Sequence, residues 1–453
     1  MVKAWIALLS AFCATAAAYD QQVLSHTHQN ANGILRRFNI TGGAKETIIK
    51  IAQDHDWDLW HVGKTHVDIF WRENGEDLPL VLQDIPHTTS VLPLSPQLSV
   101  ESVQWNLETL NNSTFHATYH PLDEINLFLE ELAEMNPDTA MLQRIGLSAE
   151  GKDIVALTIT NDVKGDRISA EGKKKKKKKK APHLTDKLDF VILGAQHARE
   201  WVASSTALYV AHALTVNTSS DEPHALSSLL DVYNFHIIPV PNPDGYVYTW
   251  ESDRYWYKNR QIVAPHSKCA GLDMNRNWGH HWEPEPVPGH PNPAEPVDPC
   301  SHWYPGSRPF ESPEVNSIAN FLSTLHFPVA FVDLRSYGQM ISSPYSYSCK
   351  RVPKDGEDQA EAAFGVVHAI KDVHEVHFQA GRLCETLYEA PGNVVDWAYA
   401  RVGIKYSYVA HLRDTGTYGF SLPDKYIRPV GEETSGMVQY LAKFIATKMD
   451  RKF

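Results

Sequence analysis

Between Glu73 and Gln143 this chain of 453 residues has neither a lysine nor an arginine. Trypsin-like and dibasic-specific proteases therefore find no site there. The stretch is either a junction that such proteases cannot open or an acidic linker that happens to lack basic residues. Positive charge is short overall as well: 42 Lys and Arg stand against 54 Asp and Glu, for a formal net charge of -12. That balance argues against nucleic acid as a general partner. No apolar run approaches the roughly 20 residues of a membrane span, so no such span is expected. Cysteine is scarce, with five in the whole chain.

What is present points to the secretory pathway. Lys3, the apolar stretch Trp5 to Cys13, and Ala16-Ala17-Ala18 read as a signal peptide over residues 1–18, cleaved before Tyr19. A soluble N-terminal helix is the alternative. Cys13 would leave with the signal, and Cys269, Cys300, Cys349 and Cys384 remain, an even set suited to two disulfides. Sequons at Asn39, Asn111, Asn112 and Asn217 fit a secreted or vacuolar glycoprotein. With 43% hydrophobic residues the chain has ample material for a large core, and a monomer is expected.

Two structural units are expected after the signal. Residues 19–113 read as a small α+β unit and a linker. Ala44 to Gln53 reads as a helix, and Trp60 to Phe70 as a strand pair turned at Gly63. Leu80-Val81-Leu82 is too short to place, and Pro86 to Ser113 reads as a linker. Residues 114–453 read as a larger α/β unit. A helix opens at Pro121 with Ile125, Phe128, Leu129 and Leu132 on one face. Strands are predicted at Ile154 to Ile159, Leu188 to Gly194, Phe235 to Val240, Val329 to Leu334 and Ile404 to Val409. Helices are predicted at Val202 to Leu214, Pro313 to Leu325 and Glu432 to Lys448. This alternation predicts a mixed, mostly parallel sheet flanked by helices. An unbroken lysine run, Lys173 to Lys180, sits in a loop at 160–187. It is either a tolerated solvated insertion or a patch that attracts a polyanion.

The chemistry centres on His197-Ala198-Arg199-Glu200, an H-x-x-E pair at the C-terminal end of the apolar run Leu188 to Gly194. Open α/β sheets place their sites at such strand ends. Alone, H-x-x-E is a common chance pattern, with a surface histidine at a helix start as its ordinary meaning. Here Gly194 to Trp201, Pro241 to Tyr246, Gly271 to Trp278 and Leu412 to Phe420 follow in order. Together they resemble the zinc metallocarboxypeptidases related to pancreatic carboxypeptidase A. The resemblance covers about Tyr119 to Ile445, and the preceding unit is more loosely similar to that family's inhibitory propeptide.

The resemblance implies a carboxypeptidase-like fold behind a prodomain, with His197 and Glu200 as zinc ligands. It implies Arg199, Asn275, Arg276 and Tyr388 as the groups that hold a substrate's C-terminal carboxylate, and Tyr337 in the cleft. Charge-assisted, directional hydrogen bonds suit that task. Val395 falls where side-chain preference is set, implying an apolar pocket. Cys269 with Cys300, and Cys349 with Cys384, are implied disulfide pairs.

Three positions depart from the pattern. Arg335 stands where the third zinc ligand should be, Tyr257 where an arginine should polarise the scissile carbonyl, and His411 where the catalytic glutamate should be. A guanidinium stays protonated and does not ligate zinc. The glutamate would take a proton from zinc-bound water and pass it on. The chain therefore resembles the family's inactive fungal branch, which implies a secreted pseudoenzyme tied to cell-wall organisation or biogenesis. Peptide C-termini and cell-wall components are the implied partners. A weakly active zinc carboxypeptidase of altered specificity and a polyanion-binding wall protein are the alternatives. For the metal two arrangements are open. His411 replaces the missing ligand and zinc is held, or Arg335 pairs with Glu200 and the cleft is metal-free.

Overall fold

The computed structural model describes residues 32–40, 43–55, 57–72, 78–93, 105–161, 186–217, 219, 221–263, 269–284 and 298–451. The expected signal peptide, Cys13 and the lysine run lie outside them. The chain divides into two compact units, Met1–His61 with Val67–Val100 and Val62–His66 with Glu101–Phe453.

The first unit is built on β1 (Asn32–Asn39), α1 (Ala44–Asp54), β2 (Asp58–Val62), β3 (His66–Arg72) and β4 (His87–Pro93). The strands form one sheet in the order β2-β3-β1-β4. The helix and the strand pair agree with the sequence reading. Two strands do not: β1 was not expected, and β4 lies in the predicted linker. The Thr-Thr-Ser-Val run of β4 has strand propensity but little apolar alternation. It is fixed by antiparallel pairing with β1, from Asn32 opposite Pro93 to Phe38 opposite His87. α1 buries Ile48, Ile49 and Ala52. Arg37 donates two hydrogen bonds of 2.7 Å to the buried Asp68 carboxylate, which neutralises the charge inside this unit.

The second unit contains α2 (Leu122–Met135), β5 (Ala140–Leu147), β6 (Asp153–Ile159), β7 (Leu188–Leu193), α3 (Trp201–Thr215), β8 (Tyr233–Ile238), α4 (Pro243–Glu251), α5 (Pro313–Thr324), β9 (Pro328–Arg335), β10 (Met340–Ser343), α6 (Gly356–His374), β11 (Gln379–Arg382), β12 (Tyr406–His411) and α7 (Ile427–Lys448). Its eight strands lie in the order β11-β10-β12-β9-β7-β8-β6-β5. The sheet is mixed and mostly parallel, with β12, β9, β7 and β8 running the same way at its centre.

β7 explains the layering. All six of its residues are buried, as a central parallel strand covered on both faces requires. Phe190 and Ile192 join the core under α2, α3 and α7, while Val191 and Leu193 join the opposite core with Val315, Ile318 and Leu322 of α5. On α2, Ile125, Phe128, Leu129 and Leu132 are the buried face, as their spacing predicts. Among the described residues no helix is long and apolar enough to cross a membrane.

In the sheet order β7 lies between β9 and β8, its successors in the chain. The chain therefore leaves β7 first to one side and then to the other, which opens a crevice at the strands' C-terminal ends. Gly194 sits at the mouth of that crevice. A Cβ there would run into the Pro239 carbonyl, so only glycine lets β7 end against its neighbour.

Candidate functional site

His197 and Glu200 follow β7 at this mouth, with Glu200 at the first position before α3. The Glu200 side chain does not cap that helix. It accepts two hydrogen bonds from Arg335, the last residue of β9: Nε to Oε2 at 2.7 Å and Nη2 to Oε1 at 3.1 Å. Nη1 of Arg335 donates to Asp333 Oδ2 at 3.3 Å. Nη2 also contacts His197 Nδ1 and lies 3.3 Å from Nε2 of the same ring. His197 Nε2 donates to Asp273 Oδ1 at 2.7 Å. That bond uses the Nε2 proton, while Nδ1 lies against both the Arg335 guanidinium and Glu200 Oε1, the latter 3.1 Å away. The Tyr257 ring lies on His197 with centroids 3.6 Å apart, and its hydroxyl reaches Asp273 Oδ2 at 3.4 Å. None of His197, Glu200, Asp273 and Arg335 is more than 4% exposed.

The charges in this knot are mutually dependent. Burial pushes the Glu200 carboxyl up, but Arg335 and His197 outweigh it and bring it down to about 2. Asp273 follows the same pattern: burial raises it, and His197, Arg276 and Arg335 return it to about 2. Burial would lower the Arg335 guanidinium, but Glu200 and Asp333 more than compensate and keep it charged. Asp333 is the exception. Its burial is only partly offset by Arg335 and Gln196, and it is pushed up to about 7. Burial, followed by the neighbouring Asp273, keeps Tyr257 a neutral phenol.

A second group lies along the loop from Asp273. Asn275 Oδ1 accepts from the Val394 amide at 3.0 Å, which anchors one end of the Asn275 side chain. Arg276 Nη1 donates to the Asn275 carbonyl at 3.0 Å and Nη2 to the Tyr388 hydroxyl at 3.1 Å. Among the described residues its Nε has no hydrogen-bond partner. Val395 is fully buried with Leu383 and Val409, with Leu387 packed against them. Arg199 is placed differently. Its guanidinium lies between the rings of Tyr257 and Phe420, 4.7 and 4.2 Å from their centroids, and is 2% exposed. Tyr337 packs edge-on against Phe420 at 5.2 Å.

His411 ends β12, opposite Arg335 of β9 and Met340 of β10. It does not complete a ligand set with His197 and Glu200. Among the described residues, the one trio of His, Cys, Asp or Glu ligand atoms within 4.8 Å of one another is Cys269, Asp298 and Cys300. Those two cysteines are already bonded: Cys269–Cys300 and Cys349–Cys384 are disulfides, with Cα separations of 4.8 and 5.5 Å. Asn39, Asn111, Asn112 and Asn217 are exposed. The Asn111 side-chain amide nevertheless donates to the Asp221 carbonyl.

Asp273 was not singled out by sequence reasoning. It precedes Asn275-Arg276 by two residues, so its signal was present in that run, but its bond to His197 joins loops 76 residues apart. The stacking roles of Phe420 and Tyr257 were invisible for the same reason.

A model of the zinc carboxypeptidase family matches residues 125–436. The inactive metallocarboxypeptidase ecm14 of Talaromyces stipitatus is 31% identical over 431 residues, covering 86% of this chain and 68% of that protein. The inactive metallocarboxypeptidase ECM14 of Ajellomyces dermatitidis is 35% identical over 395 residues, covering 81% and 62%. The chain thus spans about two thirds of the length of these relatives. Thrombin-activatable fibrinolysis inhibitor superposes with a TM-score of 0.72 at 29% identity, over 92% of this chain and 99% of the other. Carboxypeptidase A from Helicoverpa armigera gives 0.73 at 22% identity, over 92% and 98%, a likeness of fold.

The chain belongs to the zinc carboxypeptidase family. Its curated relatives are inactive metallocarboxypeptidases, and it is a pseudoenzyme of the family. The family's zinc does not fit the residues present. Zinc takes lone pairs from three or four protein ligands at about 2.0–2.3 Å. Here a permanently protonated guanidinium lies against both candidate ligands instead.

Proposed function

We propose that this is a secreted, catalytically silent carboxypeptidase-like protein that recognises free peptide C-termini and serves cell-wall organisation or biogenesis. The observation that carries the reading is the contrast between two buried arginines. Arg276 and Tyr388 are hydrogen-bonded to each other and offer donors suited to a carboxylate, while Arg335 is paired with Glu200. Recognition of a terminal carboxylate requires Asn275, Arg276 and Tyr388, none of which is a metal ligand. The buried apolar wall at Val395 suits a C-terminal apolar side chain. The secretory route rests on the signal-like residues 1–18 and the exposed sequons, and the wall role on the resemblance to the inactive fungal branch.

The test is calorimetry of the purified protein with matched peptides ending in a free acid or an amide, alongside an assay for released amino acids. Preferential binding of the acid with no release is the expected outcome. Equal affinity for acid and amide would remove the recognition claim. Turnover at typical enzyme rates, about 1–10³ s⁻¹, would remove the silence.

A further inference from the structure

We infer that the Arg335 guanidinium is the resident cation of this site, standing in for the metal, and that this single residue keeps zinc out. The surroundings of the guanidinium are those a metal would need. Glu200 offers both carboxylate oxygens, to Nε at 2.7 Å and Nη2 at 3.1 Å. His197 Nδ1 lies against the same Nη2 and 3.1 Å from Glu200 Oε1. Behind it, His197 Nε2 donates to Asp273 Oδ1 at 2.7 Å. A carboxylate behind the far nitrogen is how metal-binding histidines are oriented and made more basic. Two ligand candidates and their supporting partner are thus retained in ligand-like posture, and the ion is replaced by a charged group of the chain itself.

The substitution is consistent in charge. The knot holds the carboxylates of Glu200 and Asp273 with almost no exposure to water, and buried carboxylates require a cation close by. Zinc would supply two positive charges from solution, whereas Arg335 supplies one permanently. It also fills the volume between Glu200 and His197, so the two cations are mutually exclusive. Replacing the guanidinium with an imidazole would vacate that volume, leave both carboxylates without their cation and add a lone pair at the end of β9. The chain is one residue away from a His-Glu-His ligand set.

This extends the reading of a silent site. Its test reads metal rather than peptide binding or hydrolysis, so the two fail separately. Zinc content and zinc affinity would be measured on full-length wild type, R335H and H197A, using competition with a chromophoric chelator and thermal melting with added zinc or EDTA. Wild type should hold no zinc that H197A removes, and its melting should ignore EDTA. R335H should take up one zinc per chain, on the order of 100-fold more tightly than wild type, since losing even an outer partner of a metal ligand costs about 10–100-fold. Its melting temperature should rise with zinc.

Zinc in wild type that survives H197A sits elsewhere and supports the inference. Zinc in wild type that H197A abolishes overturns it, as does a folded R335H that ignores zinc. Where a variant fails to fold, diffraction from wild-type crystals at the zinc absorption edge decides. An anomalous peak between His197 and Glu200 overturns the inference, and guanidinium density without a peak supports it.

Discussion

Around Arg335 each charge is answered from inside the chain, whereas Arg276 still has capacity to spare. Arg335 spends its donors on Glu200, Asp333 and His197. Arg276, on the loop that also carries Asp273, has a hydroxyl, a backbone carbonyl, a looser 4.0 Å approach to Asp273 Oδ2 and, among the described residues, no partner for Nε. Both arginines are about equally buried, at 4% exposure. Burial alone therefore does not separate a structural arginine from a binding one. What separates them is whether carboxylates of the same chain saturate the fork.

The strongest way to break the comparison is to remove the saturated arginine. Arg335→Ala leaves Glu200 ionised in a dry pocket, and breaking a buried ion pair from one side costs about 3–5 kcal/mol. Chemical denaturation should show a loss of that size. The paired change Arg335→Met with Glu200→Met should recover most of it, since apolar isosteres can replace such pairs. If the single substitution costs as little as a surface change, the knot is not structural.

A contrast in acid sharpens the same point, because burial elsewhere in this unit is handled by withholding charge. His116 Nε2 lies 3.0 Å from His212 Nδ1, and His212 Nε2 donates to the Leu107 carbonyl at 3.0 Å. Burial holds His212 down to about 4 and His116 well below its ordinary value. Both are neutral in the fold and take up protons when unfolded. Their contribution is therefore present above the unfolded pKa of about 6.5 and is lost as pH falls towards 4. Asp333 and Asp396, pushed up by burial to about 7 and about 6, act in the opposite sense over part of that window. The measurement is therefore a difference. Relative to wild type, His212→Gln should lose about 1.4 kcal/mol less stability per pH unit between 6.5 and 4. Parallel pH profiles for the two proteins would show that His212 is not neutral in the fold.

Much of the fold was legible because its signals are local. The buried run of β7 and the i, i+3, i+4 face of α2 both name their neighbours without a structure. α6 was missed because it buries Gln359, Ala362, Ala363, Val366 and Ile370. Small and polar residues of that kind give little apolar periodicity, and only packing against α7 selects their face. β1 and β4 were missed because a weakly patterned strand is defined by its partner. At the site, the placement of His197 and Glu200 after β7 was readable from the H-x-x-E run that follows the apolar strand. The sequence left open whether His411 or Arg335 would answer Glu200. The answer depends on the register that sets β9 beside β7 and brings Arg335 Nε to 2.7 Å from Glu200.

Arg276→Gln tests the other half of the comparison. A hydrogen bond to a charged group contributes about 1.5–3 kcal/mol. Binding of a free-acid peptide should weaken by about 10–100-fold, while the fold should tolerate the change better than Arg335→Ala. A stability loss as large as that of Arg335→Ala would erase the distinction between the two arginines.

Tyr388→Phe should have the smallest effect and the most specific one. The hydroxyl accepts from Arg276 Nη2 at 3.1 Å, and its own proton remains to be donated. A terminal carboxylate reaching Arg276 would meet that proton as a second donor, whereas a terminal amide would draw much less from it. Removing the hydroxyl should cost about 0.5–1.5 kcal/mol of acid-peptide binding, or about 2–10-fold. The ring and its packing against Trp303, with centroids 5.9 Å apart, would be preserved. Amide-peptide binding should be nearly unchanged, so the acid-to-amide preference should narrow. An equal loss for both peptides would instead make the hydroxyl a brace for Arg276, with no part in reading the carboxylate.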